Sequence, residues 1–328
     1  MPSGAVPGVL PEEDPAVPRG RTGDDSPSGG RQQGEPATTR PGEGQSGGVR
    51  PFTQVDVFTD EPYPGLGNPV AVVHDAEGLE DAAMQRFARW TNLSETTFLL
   101  PPQDPAADYR LRIFTPAREL PFAGHPTLGS ARAWLEAGGR PRGEHVVQEC
   151  GAGLVRVRRE PDVAGRLAFA APPLVRSGPV DADLRARLLR GLGLAEDDVV
   201  DAAWTDNGPG WVSLLLRDAG AVLAVQPDWA ALDGLDVGLV GPHDDGGPAT
   251  VEVRAFAMAS VAAEDPVTGS LNAGLAQWLQ AGGRVPAAYT AAQGTALGRR
   301  GRVHVQRVGE DVWVGGGTVV GVSGRALV

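Results

Sequence analysis

The chain has 328 residues, enough for one or two domains with a real core. Its 29 basic and 41 acidic groups give a formal charge of −12, which does not suit a nucleic-acid or anionic-membrane binder. Every basic group counted there is an arginine; with no lysine, a pyridoxal-phosphate Schiff base, a lysine enamine and an ordinary P-loop are all excluded.

The single cysteine, Cys150, cannot form an intrachain disulfide, so nothing points to a disulfide-stapled secreted fold. No apolar run approaches the ~20 residues of a membrane-spanning helix. The first residues lack a basic segment followed by an apolar core. The expected location is cytoplasmic. Residues 1–50 hold 19 Gly or Pro and no aromatic residue. Such a segment buries too little apolar surface to offset its ordering entropy, so disorder is expected there, with order beginning near Phe52.

Val55 and Val57, then Pro69 to Val73, predict two strands around a turn at Pro64-Gly65-Leu66-Gly67. Leu79, Ala83 and Phe87, with Met84 and Ala88, recur at helical spacing. Strands are expected at 97–100 and 109–114, a helix at 125–137, and strands at 146–148, 154–158 and 167–170. The connection Gly151-Ala152-Gly153 reads as a hairpin. The Ala171-Pro172-Pro173 joint divides the chain into a first α/β half, 51–171, and a second, 172–328, whose last strand is free to pack back on the first. In the second half Leu184, Leu188 and Leu192 mark a helix. Strands are expected at 199–204, 212–216 and 251–256, a helix at 270–280, and strands at 303–305, 312–314 and 319–322. Gly315-Gly316-Gly317 reads as structural.

An internal repeat supports duplication. His125-Pro126-Thr127-Leu128-Gly129-Ser130 matches Asp265-Pro266-Val267-Thr268-Gly269-Ser270 without a gap. The helix ends, Trp134 to Gly139 and Trp278 to Gly283, match after four extra residues. Asn68-Pro69-Val70 also resembles Asn207-Gly208-Pro209. In this register Gly129/Gly269 and Ser130/Ser270 are equivalent helix-start residues suited to shared anion binding.

The chemistry-bearing candidates cluster on these motifs. Asp265-Pro266 is a good N-cap pair by itself, whereas His125 in the matching slot is a poor cap. If both helix starts face inward, their free N–H groups and positive dipole ends suit a carboxylate or a developing enolate, and Thr268 and Ser270 add hydroxyls. Glu95 sits among hydroxyl residues in Asn92-Leu93-Ser94-Glu95-Thr96-Thr97-Phe98, at a helix-to-strand corner. A lone Glu in a loop is usually a solvated acid, but one raised in pKa by burial can remove a proton from carbon. His74, His145, His243 and His304 are scattered, and His243-Asp244-Asp245 reads as a turn. No Cys/His spacing suits zinc, and no GxGxxG follows a strand.

The stretches VDVFT (55–59), GNPVAVV (67–73), NLSETTF (92–98), RIFTPARELPFAGHPTLG (112–129), EDPVTGS (264–270) and the QG at 293–294 make the chain resemble the phenazine-biosynthesis PhzF-like isomerases. The resemblance covers nearly everything after residue 51. It implies an α/β (α+β) diaminopimelate-epimerase-like fold: two pseudo-symmetric halves, each a curved, mostly antiparallel sheet around a central helix. It also implies a homodimer with no metal or organic cofactor, acting on a small carboxylate such as a dihydro-hydroxyanthranilate. Glu95 becomes the catalytic acid/base, assisted by His125 and Asp265. Asn68, Ser94, Thr96, Gly124, Gly269 and Ser270 form the substrate-binding set, with Gly124, Gly269 and Ser270 on the substrate carboxylate.

Related racemases of this fold use two cysteines, and this chain has none in either helix-start motif. Two departures from the family pattern, a longer turn at 63–67 and Leu271-Asn272 after Ser270, are expected to line the site. The primary expectation is an isomerase that shifts a double bond by proton transfer. The alternatives are a hydrolase or lyase on the same scaffold, and a non-catalytic small-acid binder.

Overall fold

The computed structural model describes residues 48–160, 165–257 and 264–328. Most of the expected disorder at 1–50 therefore falls outside the described residues. The first strand already begins at Val49, three residues before Phe52.

The first half runs β1 (Val49–Val57), β2 (Asn68–Val73), α1 (Asp81–Thr91), β3 (Glu95–Leu100), β4 (Tyr109–Phe114), β5 (Glu119–Leu120), α2 (Gly124–Glu136), β6 (Val146–Cys150), β7 (Gly153–Arg159) and β8 (Arg166–Ala170). The second runs β9 (Arg176–Pro179), α3 (Ala182–Leu192), β10 (Val199–Asp206), β11 (Trp211–Leu216), α4 (Ala219–Ala224), β12 (Asp236–Pro242), β13 (Val251–Ala257), α5 (Gly269–Ala281), β14 (Ala288–Gln293), β15 (Gly301–Val308) and β16 (Asp311–Leu327). The strand order is β1-β2-β3-β4-β6-β7-β8-β16-β15-β14-β13-β12-β11-β10-β9. Among the described residues only β2/β3, β4/β6, β11/β12 and β13/β14 pair in parallel.

β16 joins the two halves. It pairs with β15, with β8 through residues 313–317, and with β1 through residues 318–327. The two short strands expected at 312–314 and 319–322 are thus one strand of 17 residues. The three glycines between them do not break it, because neighbouring backbone needs their space. A Cβ on Gly317 would fall 1.9 Å from the Thr59 carbonyl oxygen, and one on Gly315 2.5 Å from that of Leu167.

The central helices α2 and α5 are buried almost all round at their N-terminal ends, as helices enclosed by sheet must be. Leu128 of α2 and Leu271, Leu275 and Leu279 of α5 are at most 1 % exposed and share one core cluster. Burying each such leucine contributes about 1.5–3 kcal/mol. The outer helices are amphipathic: α1 buries Met84, Phe87 and Ala88, and α3 buries Leu188, Gly191 and Leu192.

The repeat register is corrected by the packing. The helix starts that meet are Gly124 and Gly269, since a Cβ on either would lie 2.8 Å from the other's Cα. Gly129 and Ser130 lie inside α2. Gly129 packs on Val70 and Val57, and the Ser130 hydroxyl pairs with that of Thr97 at 2.9 Å. They are core residues, and only Gly269 and Ser270 stand at a helix start. In this register the offset at the matched helix ends shrinks from four residues to one, and each helix spans 13 residues.

Strands β9, β12 and β14 and helix α4 carry no clear sequence pattern. Gly238, Gly241 and Pro242 disguise β12, and alanine dominates β14 and α4.

Candidate active site

Three side chains that are far apart in sequence meet where the helix starts touch. Glu95 is the first residue of β3, His125 the second of α2, and Asp265 sits just before α5. The corner into β3 is set by Asn92, which caps α1 in the left-handed region at φ 54°, a conformation asparagine tolerates. Asp265 is fixed by an isolated bridge, its N–H donating to the Ala255 carbonyl at 2.9 Å. A cavity of about 310 Å³ opens beside them, lined by Ser94, Glu95, Arg118, Phe122 and Ala123 from one half and Pro209, Trp211, Asp236, Asp265 and Ser270 from the other. This is the small end of the range for ligand sites.

The hydrogen bonds assign unequal roles to the two carboxyls. Asp265 accepts from Thr268 Oγ1 at 2.6 Å, Asn68 Nδ2 at 3.0 Å and Ser94 Oγ at 3.2 Å. Burial pushes its pKa up to about 6, against these three donors, which favour the ionised form. Glu95 has no such donors. Burial first, then the Asp265 charge, holds its carboxyl well above the usual range. Burial thus raises both carboxyls, and the three donors make Asp265 the one of the pair that more readily holds a charge.

His125 stands behind Glu95, with Nε2 3.3 Å from Glu95 Oε2, and is 4 % exposed. Burial lowers its pKa to about 3, so the ring is neutral. The Asn68 amide has two hydrogens and three neighbouring acceptors. The shorter contacts, to Val267 O at 2.9 Å and to Asp265, take both, ahead of His125 Nδ1 at 3.3 Å. The ring also reaches the Pro69 backbone, while Nε2 faces the Glu95 carboxyl without a hydrogen bond between them.

The family model described as phenazine biosynthesis-like protein matches residues 55–327. The chain belongs to the PhzF-like family of isomerases. Antisense-enhancing sequence 1 of Schizosaccharomyces pombe is 34% identical over 300 residues, 84% of this chain and 98% of that protein. The trans-2,3-dihydro-3-hydroxyanthranilate isomerase of Pseudomonas aeruginosa is 33% identical over 290 residues, 84% of this chain and 99% of the other. Among solved structures, a predicted epimerase from Pseudomonas aeruginosa superposes with a TM-score of 0.68 at 30% identity, covering 85% of this chain and 99% of that one. The fold of this PhzF-like isomerase is diaminopimelate-epimerase-like.

Not every expected site residue reaches the cavity of the PhzF-like chain. Glu95, Ser94, Asp265 and Ser270 line it. Asn68 works from behind, by holding Asp265, and Gly124 and Gly269 face each other. Thr96 follows Glu95 along the strand and its hydroxyl pairs with Thr91 Oγ1 at 2.6 Å; it does not line the cavity.

The two family departures do not line the cavity either. The 63–67 turn wraps the Asp56 carboxylate, which accepts from the N–H groups of Gly65, Leu66 and Gly67. Leu271 packs on Gly238, and Asn272 donates to Gln293 Oε1 and the Thr268 carbonyl. Cys150 lies at the end of β6, outside the cavity lining. Among the described residues no His/Cys/Asp/Glu group is arranged to hold a metal, and no helix is long and apolar enough to cross a membrane.

Sequence reasoning missed three supporting residues. Gln293 accepts from the Thr268 N–H and donates to its hydroxyl, locking the α5 start. Trp211 Nε1 donates to Ser270 Oγ at 3.0 Å, and Asn207 Nδ2 to the Ser270 carbonyl. Gln293 lay within a family motif; Trp211 carried no local signal.

Proposed function

We propose that this isomerase shifts a double bond by proton transfer within a small unsaturated carboxylic or amino acid, with Glu95 as the acid/base. The observation that carries the reading is the unequal carboxyl pair: Glu95 and Asp265 are both buried beside a cavity of about 310 Å³, and Asp265 accepts three hydrogen bonds from Asn68, Ser94 and Thr268. A carboxyl with a raised pKa is a stronger base when ionised and a competent acid once protonated, so one group can take a proton from carbon and return it elsewhere. Neutral His125 packs against the Glu95 carboxyl, with Nε2 3.3 Å from Oε2, and Asp265 assists from the facing wall. The Ser270 hydroxyl accepts the Trp211 indole N–H, which leaves its own proton for a substrate carboxylate at the α5 N-terminus.

These groups supply both acid and base, so the proposal needs neither metal nor organic cofactor. Relatives named as isomerases favour it over a hydrolase, a lyase or a passive binder. Assembly as a homodimer, tested by light scattering, belongs to the same proposal.

The test uses trans-2,3-dihydro-3-hydroxyanthranilate and cyclohexene carboxylates in D₂O, followed by NMR and mass spectrometry. The expected result is an isomer of unchanged composition, carrying solvent deuterium. Glu95→Gln should lose turnover by about 10²–10⁴-fold with the fold intact. Undiminished turnover in Glu95→Gln, or a product heavier by one water, would overturn the reading.

A further inference from the structure

The cavity is lined by three carboxylate residues, Glu95, Asp236 and Asp265, and by a single basic one, Arg118. Arg118 ends the turn between β4 and β5, and that turn is tied down. The Thr115 N–H and hydroxyl both reach the Arg118 carbonyl, at 2.8 and 3.0 Å, and the Arg118 N–H returns to Thr115 Oγ1 at 3.0 Å. From α1, Gln85 Nε2 donates to the Thr115 carbonyl at 2.8 Å, and Arg89 Nε to that of Pro116 at 3.3 Å. The backbone that presents Arg118 is therefore fixed before any ligand arrives, which limits the ordering cost of using it.

Two other arginines, Arg112 and Arg254, already have carboxylate partners. Arg112 pairs with Asp81 and Glu119, and Arg254 with Glu264. No ion pair or side-chain hydrogen bond among the described residues engages the Arg118 guanidinium. The Ser270 hydroxyl at the start of α5 supplies a separate hydrogen-bond donor for an anion on the other wall.

We infer that Arg118 is a specificity-determining residue that selects substrates bearing a second anionic group, a carboxylate or its equivalent, in addition to the one received at Ser270. This rests on the small-acid reading of the cavity. A guanidinium fork matches a two-oxygen anion in plane and leaves the acid/base carboxyls, which would repel a second anion elsewhere in the cavity, at a distance from it. A substrate with only one carboxylate leaves Arg118 solvated and gains nothing from it.

The test is calorimetric binding of anthranilate, with one carboxylate, against 2-aminoterephthalate, 4-aminoisophthalate and 3-aminophthalate, each with two. At least one dicarboxylate should bind about tenfold tighter than anthranilate to the unaltered protein, as expected for a charge-assisted bond at a partly exposed site. That ratio should fall to about one in Arg118→Met, survive in part in Arg118→Lys, and shrink with added salt. Anthranilate binding with no gain for any dicarboxylate, or a gain that persists in Arg118→Met, overturns this inference alone. If no compound of either kind binds, it falls together with the small-acid reading.

Discussion

Gly124 and Gly269 meet head to head, one at the start of each central helix, with so little room that a Cβ on either would sit 2.8 Å from the other's Cα. This contact sets His125 behind Glu95 and Ser270 in the cavity wall, each the next residue after its glycine. A Cβ on Gly124 would also lie 2.9 Å from the Phe169 ring. Gly124→Ala is expected to cost about 1–3 kcal/mol by forcing the helix ends apart, and to lower turnover as well. Denaturant titration measures the first effect, and an unchanged midpoint would show that the contact is slack.

Glu95 has a stability signature that is separate from turnover. Its folded pKa lies above the ordinary 4.5, so over the intervening pH range the folded chain holds a proton that the unfolded chain has lost. Stability from this group is complete below the ordinary value and is lost as pH rises through the folded one. Glu95→Gln should therefore melt higher than the unaltered protein at pH 8 and level with it at pH 4. Each kcal/mol corresponds to about 2–4 °C for a chain of this size. Equal melting temperatures at pH 8 would contradict the raised pKa.

Ser270→Ala strands the buried indole N–H of Trp211 and removes the hydroxyl offered to substrate. The expected loss of stability is about 1–3 kcal/mol, seen by thermal melting. KM for a carboxylate substrate should rise with it. If Trp211→Phe restores stability to Ser270→Ala without restoring KM, the two roles are separated.

Arg254 and Glu264 form a buried bidentate pair, 2.9 and 2.8 Å long, beside the bridge that fixes Asp265. Arg254 is 5 % exposed and also donates to the Val225 carbonyl at 2.6 Å. Arg254→Met should cost about 3–5 kcal/mol because it leaves Glu264 buried and unpaired, and the double variant with Glu264→Met should recover part of it. The Glu264 charge also helps to raise Asp265. Glu264→Gln should accordingly move the acid limb of the pH–rate profile to lower pH, a shift that a purely structural role would not produce.

Much of this architecture was legible locally. Helical spacing located α1 and α3, and the strand at 109–114 was placed to the residue. The site triad was legible through NLSETTF, GHPTLG and EDPVTGS. The helix-start register was not. His125-Pro126 and Asp265-Pro266 look alike in sequence, yet what settles equivalence is which glycine a neighbouring backbone approaches, and that approach comes from the other half of the chain. Thr96 and Asn272 have the right chemistry and neighbours, but strand alternation turns the first away and Gln293 engages the second.

By itself the sequence determined the absence of lysine and of a thiol pair, because these depend on residue identity alone, and its motifs carried the family resemblance that implied the fold class. Tertiary structure decided the division of labour. Glu95 and Asp265 are both carboxylates, and the three donors on Asp265, gathered from Asn68, Ser94 and Thr268, are what distinguish them. Burial, which raises both groups, comes from elements more than a hundred residues apart in the chain, and no local pattern encodes it.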